Sequence, residues 1–567
     1  MKHGLFFVMG ILSFFGMQYA MARGQAERVV VVVWDGMRPD FVSPQYTPTL
    51  YELARRGTFF ARNHCAYVST TEVNGTALAT GMQPDHSGII ANTEYRPEVN
   101  WLTSYGTEVL DVVRRGDLTT QGHYLQTPTV AELLHTAGFA TVIAGAKPIA
   151  LLHDRAPKKS SRAEKESVTL FRGQTLPRGA LDALVKSRDI GPFPGADASD
   201  STETTATTTR PRRNATAVAA AAASTNAVAA VTAGAGTART DTAAIIDAWT
   251  TKALVRGLWR NGVPKYSLLW LSEADAAQHN SGVGSEAAVT AIQNSDEQLA
   301  AVLKALDEKN ALDSTDIFVV SDHGFSTISR GPEIIESLKR AKFTAAKQFQ
   351  NPETGDILVD SLGGTAFFYV FEHDEQVIRR LVSFLQGTDF AGVLFCALPL
   401  EGTFPLSEAH LAATNGAPDV VVSMRWDVEK NEYGAPGMVA ALEGKPGHGT
   451  HGSLSRFDLH NTLIAAGPDL KKGFVSELPS GNVDVAPTVL SLLGVAVQSP
   501  MDGRVLEEAL VSQSASALKP VDKTIEAGCD LGFISWHQYL KITQIANTVY
   551  YEEGNGQARL RTESVEE

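Results

Sequence analysis

Apolar runs and helical stretches alternate along this chain. Residues 29–33 are five consecutive valines that end at Trp34-Asp35-Gly36. An unbroken β-branched run of this kind predicts a strand buried on both faces of a parallel sheet, with Asp35 in the loop at its carboxyl end. Residues 47–57 read as a short helix closed by Gly57. The alternation recurs: 129–137 reads as helical, 141–144 and 267–271 as extended, 287–306 as helical and 317–320 as extended. It predicts an α/β fold with a mostly parallel central sheet and helices on both faces, with function gathered at the carboxyl ends of the strands.

Several stretches break the pattern. Residues 195–243 are rich in Ala and Thr and read as a flexible insertion within the catalytic domain, although the alanine run at 219–223 could form a helix. Residues 330–427 are a mixed segment whose length suits a cap subdomain. From 511 to 567 a carboxyl-terminal extension opens on a Ser/Ala-rich linker, alternates like a hairpin over 539–551 and ends in charged residues. At the other end, Lys2 and His3, an apolar run over 5–15 and Ala20-Met21-Ala22 have the form of a signal peptide cleaved after Ala22. That leaves 23–510 as one catalytic domain and predicts an exported protein, periplasmic or secreted. The apolar run is short of the roughly 20 residues a bilayer span needs, and no later stretch is long and apolar enough to supply a membrane span.

Composition narrows the partners. The 567 residues carry 63 acidic and 49 basic side chains, a net charge of −14. A surface this acidic repels phosphate backbones, so no nucleic-acid-binding surface is expected. A small anionic substrate then requires something locally positive, such as metal ions. Cys65, Cys396 and Cys529 are too few for a disulfide scaffold and lack metal-binding spacing; one bridge plus a free thiol is the most they allow.

Metal-type side chains recur where strands are predicted to end. Asp275 and His279, four residues apart, share one face of a helix and can chelate one ion. Asp322-His323-Gly324 follows the extended stretch 317–320 directly, and Gly447-His448-Gly449-Thr450-His451-Gly452 sets two histidines among glycines that permit close approach. With Asp35 these form an oxygen and nitrogen donor set suited to zinc or manganese. Between them lies Ser69-Thr70-Thr71-Glu72-Val73-Asn74-Gly75. A hydroxyl there could be activated by a metal, or residues 71–74 could simply cap a helix over 76–79; the two readings are compatible.

The order Asp35, Thr71, Asp275-x3-His279, Asp322-His323 and His451 resembles the alkaline phosphatase superfamily, most closely its type I phosphodiesterase/nucleotide pyrophosphatase branch, from about residue 29 to 510. Asp484-Val-Ala-Pro-Thr followed by Met501-Asp-Gly-Arg504 is similar to that branch's carboxyl-terminal signature. The resemblance implies a three-layer sandwich holding two Zn2+ ions, with Mn2+ as an alternative. Asp275, His279 and His451 would hold one ion, and Asp35, Thr71, Asp322 and His323 the other, with Thr71 as nucleophile. His448 also fits the His-Gly dipeptide. Asn92 matches an asparagine that donates to a phosphoryl oxygen, and Lys147 matches one lysine of a phosphonoacetate hydrolase segment whose second lysine is Ile149 here. Val73 stands where a proline is common, and the sulfatase nucleophile signature is absent. The implied activity is hydrolysis of a small phosphorylated substrate, a diester or nucleotide pyrophosphate, through a phosphothreonine. Phosphonate or phosphomonoester hydrolysis is the alternative, and a catalytically silent ligand-binding protein the reading from another class.

Overall fold

A computed structural model describes residues 24–155, 161–188, 190–194, 236–412, 416–497, 499–512 and 518–560. The segment read as a signal peptide, most of the 195–243 segment and the charged end at 561–567 lie outside the described residues. A nine-stranded sheet forms the centre, in the order 474–476, 58–60, 463–466, 315–320, 28–34, 266–271, 141–145, 168–171 and 174–176. The five strands from Thr315–Val320 to Val168–Phe171 run parallel; Leu463–Ala466 lies antiparallel to both its neighbours, and Gln174–Leu176 is antiparallel at one edge.

The valine run explains its own position. Arg28–Trp34 is the middle strand, pairing Val30 with Ile317 on one side and Ser267 on the other. Val29, Val31 and Val33 point into one core with Leu134, Trp270 and Val489, whereas Val30, Val32 and Trp34 point into another with Leu50, Ile292 and Leu299. Both faces are therefore covered by helices, which gives the α/β three-layer arrangement, and each buried valine contributes about 1.5 kcal/mol or more. The helix expected over 47–57 is Pro48–Arg56 with Gly57 at its C-cap. Val130–Thr136 begins on Thr129, whose side chain and that of Glu132 form a capping box.

Three boundaries differ from expectation. The last residues of the 195–243 segment already belong to the helix Gly236–Lys252, because its carboxyl-terminal part packs Ile246 and Trp249 against the core. The 330–427 segment builds helices Ile334–Arg340 and Glu375–Gln386 and a six-stranded sheet, but its end starts a strand, Trp426–Lys430, of a separate four-stranded sheet. The hairpin expected over 539–551 is longer, Ile534–Ile545 with Thr548–Leu560, and Val521–Asp530 joins it as a third antiparallel strand. All three cysteines are free thiols.

Candidate active site

The parallel strands deliver their loops to one end of the sheet. Asp35 follows Arg28–Trp34, and its Oδ2 accepts a 2.8 Å hydrogen bond from Trp270 Nε1 on the next strand. Asp275 and His279 lie on the helix Glu273–Ser281 that follows Tyr266–Leu271. Asp322 and His323 follow Thr315–Val320; Asp322 Oδ1 accepts from the backbone N–H of Gly36 at 3.0 Å, which ties two strand ends together. A Cβ at Gly324 would run into the backbone carbonyls of Phe457 and His460, so only glycine allows that turn.

Thr71 is the first residue of the helix Thr71–Thr80, with Thr70 extended at the N-cap. The helix thus starts five residues before the 76–79 stretch expected from sequence. Asn74 caps no helix. Its Oδ1 accepts from Ala66 N–H at 2.7 Å and its Nδ2 donates to the carbonyls of Ala66 and Thr70, each at 3.1 Å, so it pins the loop that presents Thr71. Thr71 Oγ1 comes within 3.3 Å of His323 Nε2. Asn92 Oδ1 accepts from Glu72 N–H at 3.1 Å, which sets this amide beside the helix start.

His451 joins the cluster and His448 does not: His448 Nδ1 donates to the backbone carbonyl of His279. His451 Nε2 is 3.1 Å from His279 Nε2, and His279 Nε2 is 3.2 Å from Asp275 Oδ1. His323 Nε2 lies 3.3 Å from Asp322 Oδ2 and 3.6 Å from Asp35 Oδ1. Donor atoms around one tetrahedral zinc, at bonds near 2.0 Å, sit about 3.3 Å apart. The spacing therefore fits two ligand groups.

Orientation fits as well. His279, His323 and His451 each donate Nδ1–H to a backbone carbonyl, of Gly449, Gly324 and Ser69 respectively, all at 3.0 Å. A carbonyl can only accept, so each ring carries its proton on Nδ1 and presents the Nε2 lone pair to the cluster. Asp35 Oδ1, Asp275 Oδ1 and Asp322 Oδ2 are buried without a hydrogen bond. Orphaned carboxylate oxygens facing imidazole lone pairs are the chemistry of a metal centre.

Burial pushes the Asp35 carboxyl up to about 7, helped by the Asp322 charge, and burial likewise raises Asp322 to about 7. Against its own burial, Asp275 is held well below the usual carboxylate range by Lys147 and His279. Lys147 is not the solvated loop lysine its position in sequence allows: Nζ lies 2.8 Å from Asp35 Oδ2 and 2.7 Å from Asp275 Oδ2. Burial opposes its charge, but Asp275 and Asp35 hold the ammonium well above its ordinary pKa. Divalent ions would ease the same crowding of negative charge.

A family model described as type I phosphodiesterase/nucleotide pyrophosphatase matches residues 29–454. The chain belongs to this family. As a member it is a hydrolase of phosphate esters in a metal-dependent family, and Asp35, Asp322 and His323, and likewise Asp275, His323 and His451, are placed so that they could hold a metal ion. Its fold is similar to that of murine ectonucleotide pyrophosphatase/phosphodiesterase 5, at 15% identity and TM-score 0.53, over 85% of this chain and 100% of the murine one. The human counterpart matches at 15% identity and TM-score 0.52, covering 86% and 100% of the two chains. An inactive threonine-to-alanine variant of the murine protein, in complex with AMP, matches at 15% identity and TM-score 0.51, over 85% and 99%. No curated protein sequence matches the chain.

Sequence reasoning missed the supports of the site. Trp270 looks like any core aromatic in an apolar strand, and nothing in its neighbourhood marks it as a donor to Asp35. Nor is there a motif for Asn461 and Asn482, whose amides hold the carbonyls of Ser321 and Asp322. No helix among the described residues is long and apolar enough to cross a membrane.

Proposed function

We propose that this phosphate-ester hydrolase is zinc-dependent, cleaves phosphodiesters or nucleotide pyrophosphates, and works through a phosphothreonine at Thr71. The observation that carries the reading is the Thr71 hydroxyl at a helix N-terminus, 3.3 Å from a ligand histidine and beside both donor groups. Asp275, His279 and His451 would hold one ion and Asp35, Asp322, His323 and the Thr71 oxygen the other. Two such ions would supply a lowered hydroxyl pKa and neutralisation of the phosphoryl oxygens and leaving group. Thr71 Oγ attacks phosphorus in line and the leaving alkoxide departs; water then attacks the phosphothreonine on the opposite face and restores the hydroxyl, with net retention after two inversions. Asn92 Nδ2 and the Thr71 backbone N–H would donate to the equatorial oxygen. Lys147 can neutralise a further oxygen of the same group. The inactive threonine variant of the murine relative and its bound AMP support both the nucleophile and a nucleotide-like substrate.

Residues 330–427 are assigned here as the cap that sets specificity. The segment touches the site twice: Gly364 N–H donates to the His451 carbonyl at 2.8 Å, and Thr93, next to Asn92, donates to Asp360 at 2.9 Å. The amino-terminal signal reading makes the enzyme exported. Thr71→Ala should lower turnover of an activated diester by more than about 1000-fold while the zinc bound at the active centre is retained. A wild-type rate would remove Thr71 as nucleophile, and far fewer than two ions would remove the two-metal scheme. The lysine on two carboxylates favours a phosphonate hydrolase as the second reading. Rates on phosphomonoesters, diesters, nucleotide pyrophosphates and phosphonoacetate separate the two.

A further inference from the structure

Outside the active centre, His64, His460 and Glu552 converge from three distant parts of the chain. His64 lies on the short strand Asn63–His64, beside Ser480–Gly481. His460 ends the helix Arg456–Leu459 and is bridged to His64 through the backbone. Glu552 is on the Thr548–Leu560 strand of the carboxyl-terminal sheet. Glu552 Oε2 is 3.2 Å from His64 Nε2 and 3.1 Å from His460 Nε2. These are the separations found between ligand atoms in the active centre, and they match the edge of a zinc tetrahedron, about 3.3 Å.

The protonation pattern matches too. His64 Nδ1 donates to the Ser480 carbonyl at 3.0 Å, as the three active-centre histidines do to theirs. Its Nε2 therefore carries a lone pair. That atom is buried, in a side chain 1% exposed, and makes no hydrogen bond. A lone pair aimed at a carboxylate oxygen is repulsive unless a cation lies between them. Without a metal, His460 Nε2–H can donate to Glu552 Oε2 at 3.1 Å, but His64, whose Nδ1–H is already committed to a carbonyl, can meet the same oxygen favourably only as an imidazolium in a side chain 1% exposed. One dication satisfies two neutral rings and one carboxylate at once. Glu552 is fixed for that role, because its Oε1 is taken by Arg62 Nη2 at 2.5 Å and Thr543 Oγ1 at 2.8 Å. A cleft of about 350 Å³, lined by Arg62, His460, Lys541, Thr543 and Glu552, opens beside the trio and leaves room for a water as fourth ligand.

We propose that His64, His460 and Glu552 form a separate divalent-metal site, suited to zinc or a similar nitrogen-seeking ion, which clasps the carboxyl-terminal sheet to the catalytic core. The neighbours of its ligands give it reach. Asn63 and Asn461 hydrogen-bond each other at 2.6 Å, and Asn461 holds the carbonyl of Ser321, next to Asp322. The ion would thus brace the rear of the strand end that carries two active-centre residues.

The test uses the full-length chain, stripped by chelator and titrated with Zn2+ alone, with bound zinc counted by mass spectrometry and Tm followed in parallel. His460→Gln and Glu552→Gln, the latter nearly isosteric and keeping an oxygen for Arg62, should each bind one zinc fewer than wild type. They should keep hydrolytic activity and show a smaller zinc-induced rise in Tm. Equal zinc stoichiometry in wild type and both variants, or a wild-type difference seen only at millimolar zinc, overturns the site. Anomalous diffraction at the zinc edge from zinc-replete wild type needs no variant: density between His64 and His460 supports the site, and its absence overturns it. The difference between variant and wild type does not depend on how many ions the active centre holds, so failure of the two-metal scheme would leave it readable.

Discussion

At the candidate active site, backbone carbonyls fix the tautomers of His279, His323 and His451, and indole and amide donors hold the carboxylates of Asp35 and Asp322. Trp270 is the clearest case, since its indole N–H is the hydrogen bond that aims Asp35. Trp270→Phe keeps a large aromatic in the core but removes that donor. Zinc affinity should fall by about 10–100-fold in a chelator competition, with a far smaller change in the unfolding midpoint. A second residue gives a pH effect. Asp316 is fully buried, with one oxygen accepting from Asp469 N–H at 3.2 Å and the other unpartnered. Burial, then the Asp469 charge, pushes its carboxyl up to about 8. The folded chain keeps a proton that the unfolded chain loses near pH 4, so this group's contribution to stability falls as pH rises from about 4 to about 8, then stays level. Asp316→Asn should therefore match wild type below pH 4 and exceed it by a margin that grows as pH rises to about 8, read from urea unfolding across that range.

Elements add what single side chains cannot. The Thr71–Thr80 helix was visible in sequence only as a later, shorter piece, because the β-branched Thr71 and Val73 have modest helix propensity. Its true start is set by Asn74, which fastens the preceding loop with its own amide. Asn74→Ala leaves the Ala66 N–H and two carbonyls without that partner in a fully buried place, a loss of about 2–4 kcal/mol. The unfolding midpoint should drop accordingly, and on the proposed mechanism kcat should fall at least tenfold with metal content unchanged, because Thr71 would lose its position while the ligand residues keep theirs. The strands were easier to read: a strand buried on both faces favours a continuous apolar run, and residues 29–33, 268–271 and 317–320 all show one.

For the molecule as a whole, the carboxyl-terminal sheet is part of the folded body rather than an appendage. Trp536 is buried with its indole donating to the Gly402 carbonyl, and Gln538 exchanges two hydrogen bonds with the backbone of Leu394. Tyr550 donates to Asp484 in the helix-leading segment near 485. Trp536→Ala should cost about 3–5 kcal/mol in denaturant unfolding and leave the metal-binding stoichiometry of the active centre intact. If Trp536→Ala unfolds at the wild-type midpoint, the sheet contributes nothing to the stability of the rest.

Local patterning alone determined the central strands and the residue types that crowd their carboxyl ends, because burial on both faces and ligand chemistry each dictate residue identity position by position. The family motif carried the choice of Thr71 and Asn92 and preferred His451, although the His448-Gly449 dipeptide fits it too. Only tertiary structure could decide between the two, since both histidines sit in the same glycine-rich segment and differ in which partner each ring meets. The same holds for Trp270, for Lys147 between two carboxylates, and for the meeting of His64, His460 and Glu552. Those contacts join residues hundreds of positions apart, and no periodicity or spacing along the chain encodes a distance that exists only after the sheet has closed around them.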